Sequence, residues 1–236
     1  MKIQEVVKVL EDWAPLTYAE EYDNVGLLVG DTQKTCTGIL ITIDSIEDVV
    51  DEAINKKYNL IVSFHPIIFS GLKKLTGENY VQKTIIKAIK NDIAIYAIHT
   101  VLDKHKFGVN YKISEMIGLK KTQILIPEKN SLKKLITYIP GNKADMLLQK
   151  MHGVGGGKIG NYEECSFKID GTGSYKGNKI SNPYIGKKSI KQNVKEVQIN
   201  VLFLKHLQKK ILETLFKYHP YEEISFEIIN LDNSNQ

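Results

Sequence analysis

NLIVSFHPIIFSG, residues 59–71, is the stretch on which the fold turns. Its first six residues form a short apolar run of the kind found in a strand covered on both faces. The run ends on His65, and Pro66 follows at once, where a continuing strand would lose a backbone donor. A histidine at the mouth of a buried strand is the first feature any functional reading has to explain.

The neighbours of this strand set its context. Upstream, SIEDVVDEAINKKY (45–58) reads as a helix capped by Ser45, with Asp48 three positions on completing a capping box. Before it come two short apolar strands, VGLLVG (25–30) and GILITID (38–44), and an amphipathic helix. In that helix Ile3, Val6, Val7 and Leu10 share a face and Trp13 closes the stripe before Pro15. Downstream, NYVQKTIIKAIKND (79–92) is a helix, IAIYAIHT (93–100) a strand, and GVNYKISEMIGL (108–119) a helix ending at Gly118. Strand and helix in alternation predict an α/β fold with an open, mainly parallel sheet and helices on both faces.

The pattern changes after PEKN (127–130). LKKLITYIP is a strand, NKADMLLQKMHG a helix, YEECSFKIDGTGSYKG and EVQINVLFL two strands, KHLQKKILETLFKY a helix and EISFEIINL a last strand. That order is βαββαβ, as in a ferredoxin-like domain. A boundary is expected near residues 127–131, and the polar DNSNQ is read as an exposed end.

Composition narrows the function classes. Among 236 residues the formal net charge is +5, yet all 32 basic residues are lysine, spread along the chain. Specific nucleic-acid readout leans on the forked guanidinium, so no specific nucleic-acid partner is expected. No apolar run approaches the roughly 20 residues that span a bilayer, and the charged N-terminal helix is unlike a signal peptide. A cytoplasmic protein with no membrane partner is therefore expected. Two cysteines, Cys36 and Cys165, make neither a disulfide framework nor a CxxC pair and are read as small core residues.

Ligands of parallel α/β sheets gather beyond the carboxyl ends of the strands. Three strands can be followed there: GILITID ends in Asp44, NLIVSF leads into His65, and IAIYAIHT ends at His99 with Asp103 four residues on. Imidazole and carboxylate suit zinc, iron, manganese or nickel. The plainer reading stays open beside it: His65 as a hydrogen-bonded strand cap, Asp44 as an acid before a helix, His99 as a core histidine. His105, among lysines, is read as solvated. The glycine-rich HGVGGGKIGNYEECSF follows a helix and precedes a strand, the reverse of a phosphate loop, and is read as a flexible turn. YHPYEE, with His219, Glu222 and Glu223, is read as a structural corner.

Five motifs in order carry a family likeness: EYDNVGLLVGD, SFHPIIFSGLKKL, IHTVLD followed by GVN, GKIGNYEECSF, and HPYEEISFEI. Together they resemble the GTP cyclohydrolase 1 type 2 homolog (Nif-three-like) family over essentially the whole chain. The resemblance implies a dinuclear metal site in an α/β core, toroidal hexamers, and, in longer members, a PII/CutA-like inserted domain. On this reading residues 1–128 are the N-terminal half of the metal-binding core, 129–232 the insert, and 233–236 a tail. His65 and Asp103 carry over as metal ligands, and His99 is expected to orient water or carry a proton. No cofactor-binding residues other than these are expected.

Two departures are visible. The family's His-His-Pro becomes Phe64-His65-Pro66, which removes one ligand. The family's second core half, which supplies a further His and Glu, would follow Gln236. Fewer than the family's two divalent metal ions per site are therefore expected, together with an apolar surface on residues 1–126 that takes a partner, either another copy or that second half. The expected activity is metal-assisted hydrolysis of a nucleotide-like substrate. The rival is a non-enzymatic scaffold or regulatory module acting through the PII-like domain.

Overall fold

In the computed structural model, which describes residues 1–126 and 131–233, the 59–64 run becomes a central strand. The chain divides into two compact units, Met1–Gln123 and Ile124–Gln236. The expected boundary between residues 128 and 129 lies outside the described residues, as does the tail beyond residue 233.

The first unit is built on β1 (Gly26–Val29), β2 (Ile39–Thr42), β3 (Leu60–Ser63) and β4 (Ala94–Ala97). Their order across the sheet is β1-β4-β3-β2; β2, β3 and β4 run parallel, and β1 pairs antiparallel with β4. Every position of β3 and β4 is buried, which is why both read as unbroken apolar runs. Successive side chains point to opposite faces. Leu60, Val62 and Tyr96 pack on one face with Ile3 and Val7 of α1 (Ile3–Trp13) and Val101 of α4 (His99–Lys104). Ile61 and Ile95 pack on the other with Val50 and Ala53 of α2 (Glu47–Lys56) and Ile85 and Ala88 of α3 (Tyr80–Lys90). A further helix, α5, spans Val109–Met116.

Four local readings need correction. α2 begins after Ile46 with no side-chain cap, and the Ser45 hydroxyl is buried without a hydrogen-bond partner among the described residues. Glu47 and Asp48 in its first turn favour the helix N-terminus by charge instead. β4 stops at Ala97, so His99 opens a helix rather than closing a strand. Trp13 does not close the buried stripe; it is 45% exposed, its ring 5.2 Å from the half-buried His105, which is therefore not a solvated side chain. Cys36 packs against the first unit's core, and both cysteines are only partly buried.

β2 lies at the edge of the sheet. Ile39 and Ile41 share one of its faces and Ile43 follows its end; they are 41%, 80% and 65% exposed. Among the described residues no helix is long and apolar enough to cross a membrane.

The second unit contains β5 (Leu132–Ile139), α6 (Gly141–Gly153), β6 (Phe167–Lys176), β7 (Lys191–Leu204), α7 (Gln208–Tyr218) and β8 (Phe226–Asn230). Its sheet has the order β6-β7-β5-β8 with every pairing antiparallel. Leu135, Ile139, Ile199, Val201 and Phe203 meet Leu147 and Met151 of α6 and Ile211 and Leu215 of α7 in one core. Each such side chain stabilises the fold by about 1.5–3 kcal/mol. The chain as a whole is thus a mixed α/β protein with one mainly parallel and one antiparallel sheet.

Candidate functional site

The backbone ladder of the first sheet runs one step past its strands. The His65 amide donates to the Ile43 carbonyl, and the His99 amide donates to the Phe64 carbonyl, each at 2.9 Å. The Ser63 hydroxyl then donates to the His65 carbonyl at 2.9 Å, fixing the turn before Pro66. These bonds hold the chain in register just beyond β2, β3 and β4. Asp44, His65 and His99 are brought to one edge as a consequence.

His65 Nδ1 lies 2.8 Å from Asp44 Oδ1, with both side chains about half exposed or more. His99 Nδ1 lies 2.9 Å from Asp23 Oδ1; here the carboxylate is fully buried and the imidazole 19% exposed. The two imidazole centroids are 5.4 Å apart and meet edge to face. An ionised carboxylate oxygen only accepts, so in both pairs Nδ1 carries the hydrogen, and the lone pair of the neutral form of each ring is then at Nε2. That tautomer is the one a ligating or proton-accepting Nε2 requires.

Asp23 is the residue that sequence reading missed. It precedes β1, 76 positions from His99, and accepts from the Thr100 amide at 3.2 Å, from the Thr100 hydroxyl, and from the Asn24 amide at 2.8 Å. Burial pushes its carboxyl up, but the bonds from His99, Thr100 and Asn24 outweigh that and hold it below the usual carboxylate range. The signal for it in the sequence is the acid inside EYDNVG.

Asp103 sits in α4, four residues beyond His99. Burial raises its carboxyl above the ordinary range; the charge of Asp23 adds to this, and His99 and His65 pull the other way. It therefore belongs to the same electrostatic neighbourhood. Phe64 packs into the first unit's core, with its ring edge-on to both His65 at 5.0 Å and His99 at 5.4 Å. It offers no donor atom. Among the described residues, no three His, Cys, Asp or Glu side chains assemble into a metal cage.

The other candidates belong to the second unit. In the second unit, His219 is buried, lies 3.0 Å from the Tyr138 carbonyl through Nε2, and accepts the Tyr221 amide at Nδ1. Both ring nitrogens are used, as a corner residue requires. The glycine-rich segment connects α6 to β6, with Gly155, Gly157 and Gly160 at positive φ. A Cβ on Gly157 would fall 2.6 Å from the Cys165 carbonyl, so the close approach of the two backbones requires glycine there.

Comparison with known proteins adds the family. The family model described as Duf34/NIF3 (NGG1p interacting factor 3) matches residues 1–215. The GTP cyclohydrolase 1 type 2 homolog of Bacillus subtilis (strain 168) is 35% identical over 232 residues, 98% of this chain and 62% of the relative. The protein of the same name from Staphylococcus aureus (strain Mu50 / ATCC 700699) is 36% identical, covering 100% of this chain and 64% of the relative. Among solved structures, a Bacillus cereus protein related to NIF3 superposes with a TM-score of 0.82 at 35% identity, covering 100% of this chain and 63% of that one. The chain thus spans less than two thirds of the relatives it matches. With the matched motifs distributed over both units, the chain belongs to the Duf34/NIF3 family, whose curated members carry the name GTP cyclohydrolase 1 type 2 homolog.

Proposed function

We propose that the edge beyond β2, β3 and β4 binds a divalent metal ion, with His65 and Asp103 as ligands, and supports metal-assisted hydrolysis of a nucleotide-like substrate. The observation that carries this reading is the pair of imidazoles whose Nδ1 atoms are each held by a carboxylate, leaving two Nε2 lone pairs on rings 5.4 Å apart. The donor chemistry fits a borderline cation; the number of donors does not complete one, since catalytic zinc usually keeps three protein ligands. Water, a second copy or residues from outside the described stretch would fill the remaining positions. A bound cation supplies a water of lowered pKa and polarises the bond under attack.

The chain's own residues have distinct tasks. Asp44 orients His65 as a ligand. Asp23, kept ionised by its hydrogen bonds, stabilises the imidazolium formed when His99 Nε2 accepts a proton. The nucleotide character of the substrate rests on the name of the relatives alone. The antiparallel order of the second sheet supports reading residues 129–232 as a ferredoxin-like, PII/CutA-like insert, and the exposed Ile39, Ile41 and Ile43 support a homo-oligomer or another partner on the first unit.

Elemental analysis after reconstitution tests the proposal. Near-stoichiometric metal is expected in the parent chain and loss in His65→Ala and Asp103→Ala; metal retained by both variants overturns it. Metal-dependent consumption of GTP, lost in His99→Ala while metal is retained, is the expected activity result. A second reading, a non-enzymatic regulatory module, is favoured by a cavity in the second unit.

A further inference from the structure

That cavity is independent of the metal site. Tyr138, Glu196 and Gln198 alternate with the core residues of β5 and β7, so they lie on the sheet face opposite α6 and α7. There a hollow of about 580 Å³ opens between the β6–β7 ribbon, the loop at 177–185 and the corner after α7.

Three tyrosines shape it. The Tyr221 ring stands between the other two, 6.5 Å from Tyr175 and 6.1 Å from Tyr184 by centroid. The Tyr221 hydroxyl donates to Glu196 Oε1 at 2.6 Å, and the Tyr175 hydroxyl donates to the Ile185 carbonyl at 2.5 Å. Tyr184 stands at the rim, 50% exposed. The wall below is glycine: a Cβ on Gly173 would fall 1.8 Å from Glu196 Oε2. The Glu196 carboxylate therefore occupies the place a β6 side chain would fill, held by Tyr221 through its other oxygen.

The charge of the lining runs against that of the chain. Among the described residues the carboxylates at the cavity are Glu196, Glu222 and Glu223; Asp170 and Lys176 also border it, but they pair with Val197 and Lys191 and so alternate to the other face of the ribbon, in a protein of formal net charge +5. Carboxylates oppose an anion, and a purely apolar guest gains nothing from them. Aromatic faces carry negative quadrupole potential and attract cations, ammonium groups above all.

We propose that this cavity binds a small organic cation of the alkylammonium class, its charge seated among Tyr175, Tyr184 and Tyr221 and paired with Glu196. The inference does not depend on metal binding at His65.

Calorimetric titration of choline chloride into the 236-residue chain tests it, with 3,3-dimethylbutan-1-ol, choline's uncharged isostere, as the control. Saturable one-site binding is expected, with the alcohol at least about tenfold weaker. Glu196→Gln keeps an acceptor for the Tyr221 hydroxyl and removes the charge; Tyr184→Ala removes an exposed ring. Each is expected to weaken choline at least about fivefold, with thermal unfolding unchanged. His65→Ala is expected to leave choline binding intact, which separates this proposal from the metal reading. Absence of saturation, equal binding of the alcohol, or unchanged affinity in both variants overturns it.

Discussion

His99 in the first unit and His219 in the second make an informative pair. Each has one ring nitrogen within 3.0 Å of an oxygen, and each is largely or wholly withdrawn from solvent. They differ in the partner and in the second nitrogen. His99 faces a buried carboxylate and keeps the Nε2 lone pair, whereas His219 faces a carbonyl and uses Nδ1 to receive the Tyr221 amide. A neutral imidazole has one donor and one acceptor; at His219 both are consumed by the fold, and at His99 one remains for chemistry. The lesson is that burial alone does not separate a structural histidine from a functional one. The second nitrogen does.

The sharpest way to break this contrast is to carry it to His65, whose Nδ1 is likewise held by a carboxylate, and to measure metal content. His65→Ala is expected to weaken divalent-metal binding by about 100-fold or more, while His219→Ala leaves metal binding unchanged and lowers the thermal midpoint. Metal loss in His219→Ala with the fold intact would erase the distinction. Next comes Asp23→Asn, expected to destabilise the first unit by about 1–3 kcal/mol, because a buried acceptor is exchanged for a group that must also place two donors. Chemical denaturation measures this. Asp44→Asn, at an exposed pair, is expected to cost about tenfold in metal affinity and little stability.

The smallest effect is one of pH, and its sign differs in window between the two sites. Burial lowers the affinity of His219 for a proton, so its contribution is complete above the ordinary histidine range and is lost as pH falls through the lowered folded value. Asp23 is also held low, but from the carboxylate range, so its contribution survives until about pH 4 and fades below it. On acidification, exchange protection of the Tyr221 amide, bonded to His219, is therefore expected to fall before that of the Thr100 amide, bonded to Asp23. Amide exchange resolved by residue shows the order, and a reversed order counts against it.

Legibility in the sequence follows the range of the interaction. The strands at 26–29, 39–42, 60–63 and 94–97 were readable because each is a short apolar run, and the alternation with helices implied the parallel arrangement. β7 was read from Glu196, although it begins at Lys191. Its first five residues, KQNVK, pair with the end of β6 in an exposed ribbon and carry no clear hydrophobic alternation. Ser45 looked like a cap because the local pattern fitted, but the chain turns helical one residue too late for it. His65 was legible from its place after a buried strand; Asp23 was not, since only the antiparallel pairing of β1 with β4 carries it to His99. The tyrosine cavity escaped for the same reason, its rings coming from β6, a loop and a corner up to 46 residues apart.

The edge strand β2 has a consequence for the protein in solution. Among the described residues its outer backbone groups complete no ladder with another strand, and the bare isoleucines at 39, 41 and 43 give an incoming strand both hydrogen bonds and an apolar landing. Neither a proline nor a lysine interrupts residues 38–44 to blunt that invitation. Handled by itself at high concentration, the chain should precipitate or stack edge to edge, and a solubility tag or a lysine at Ile41 should relieve this before any change in the folded core is felt.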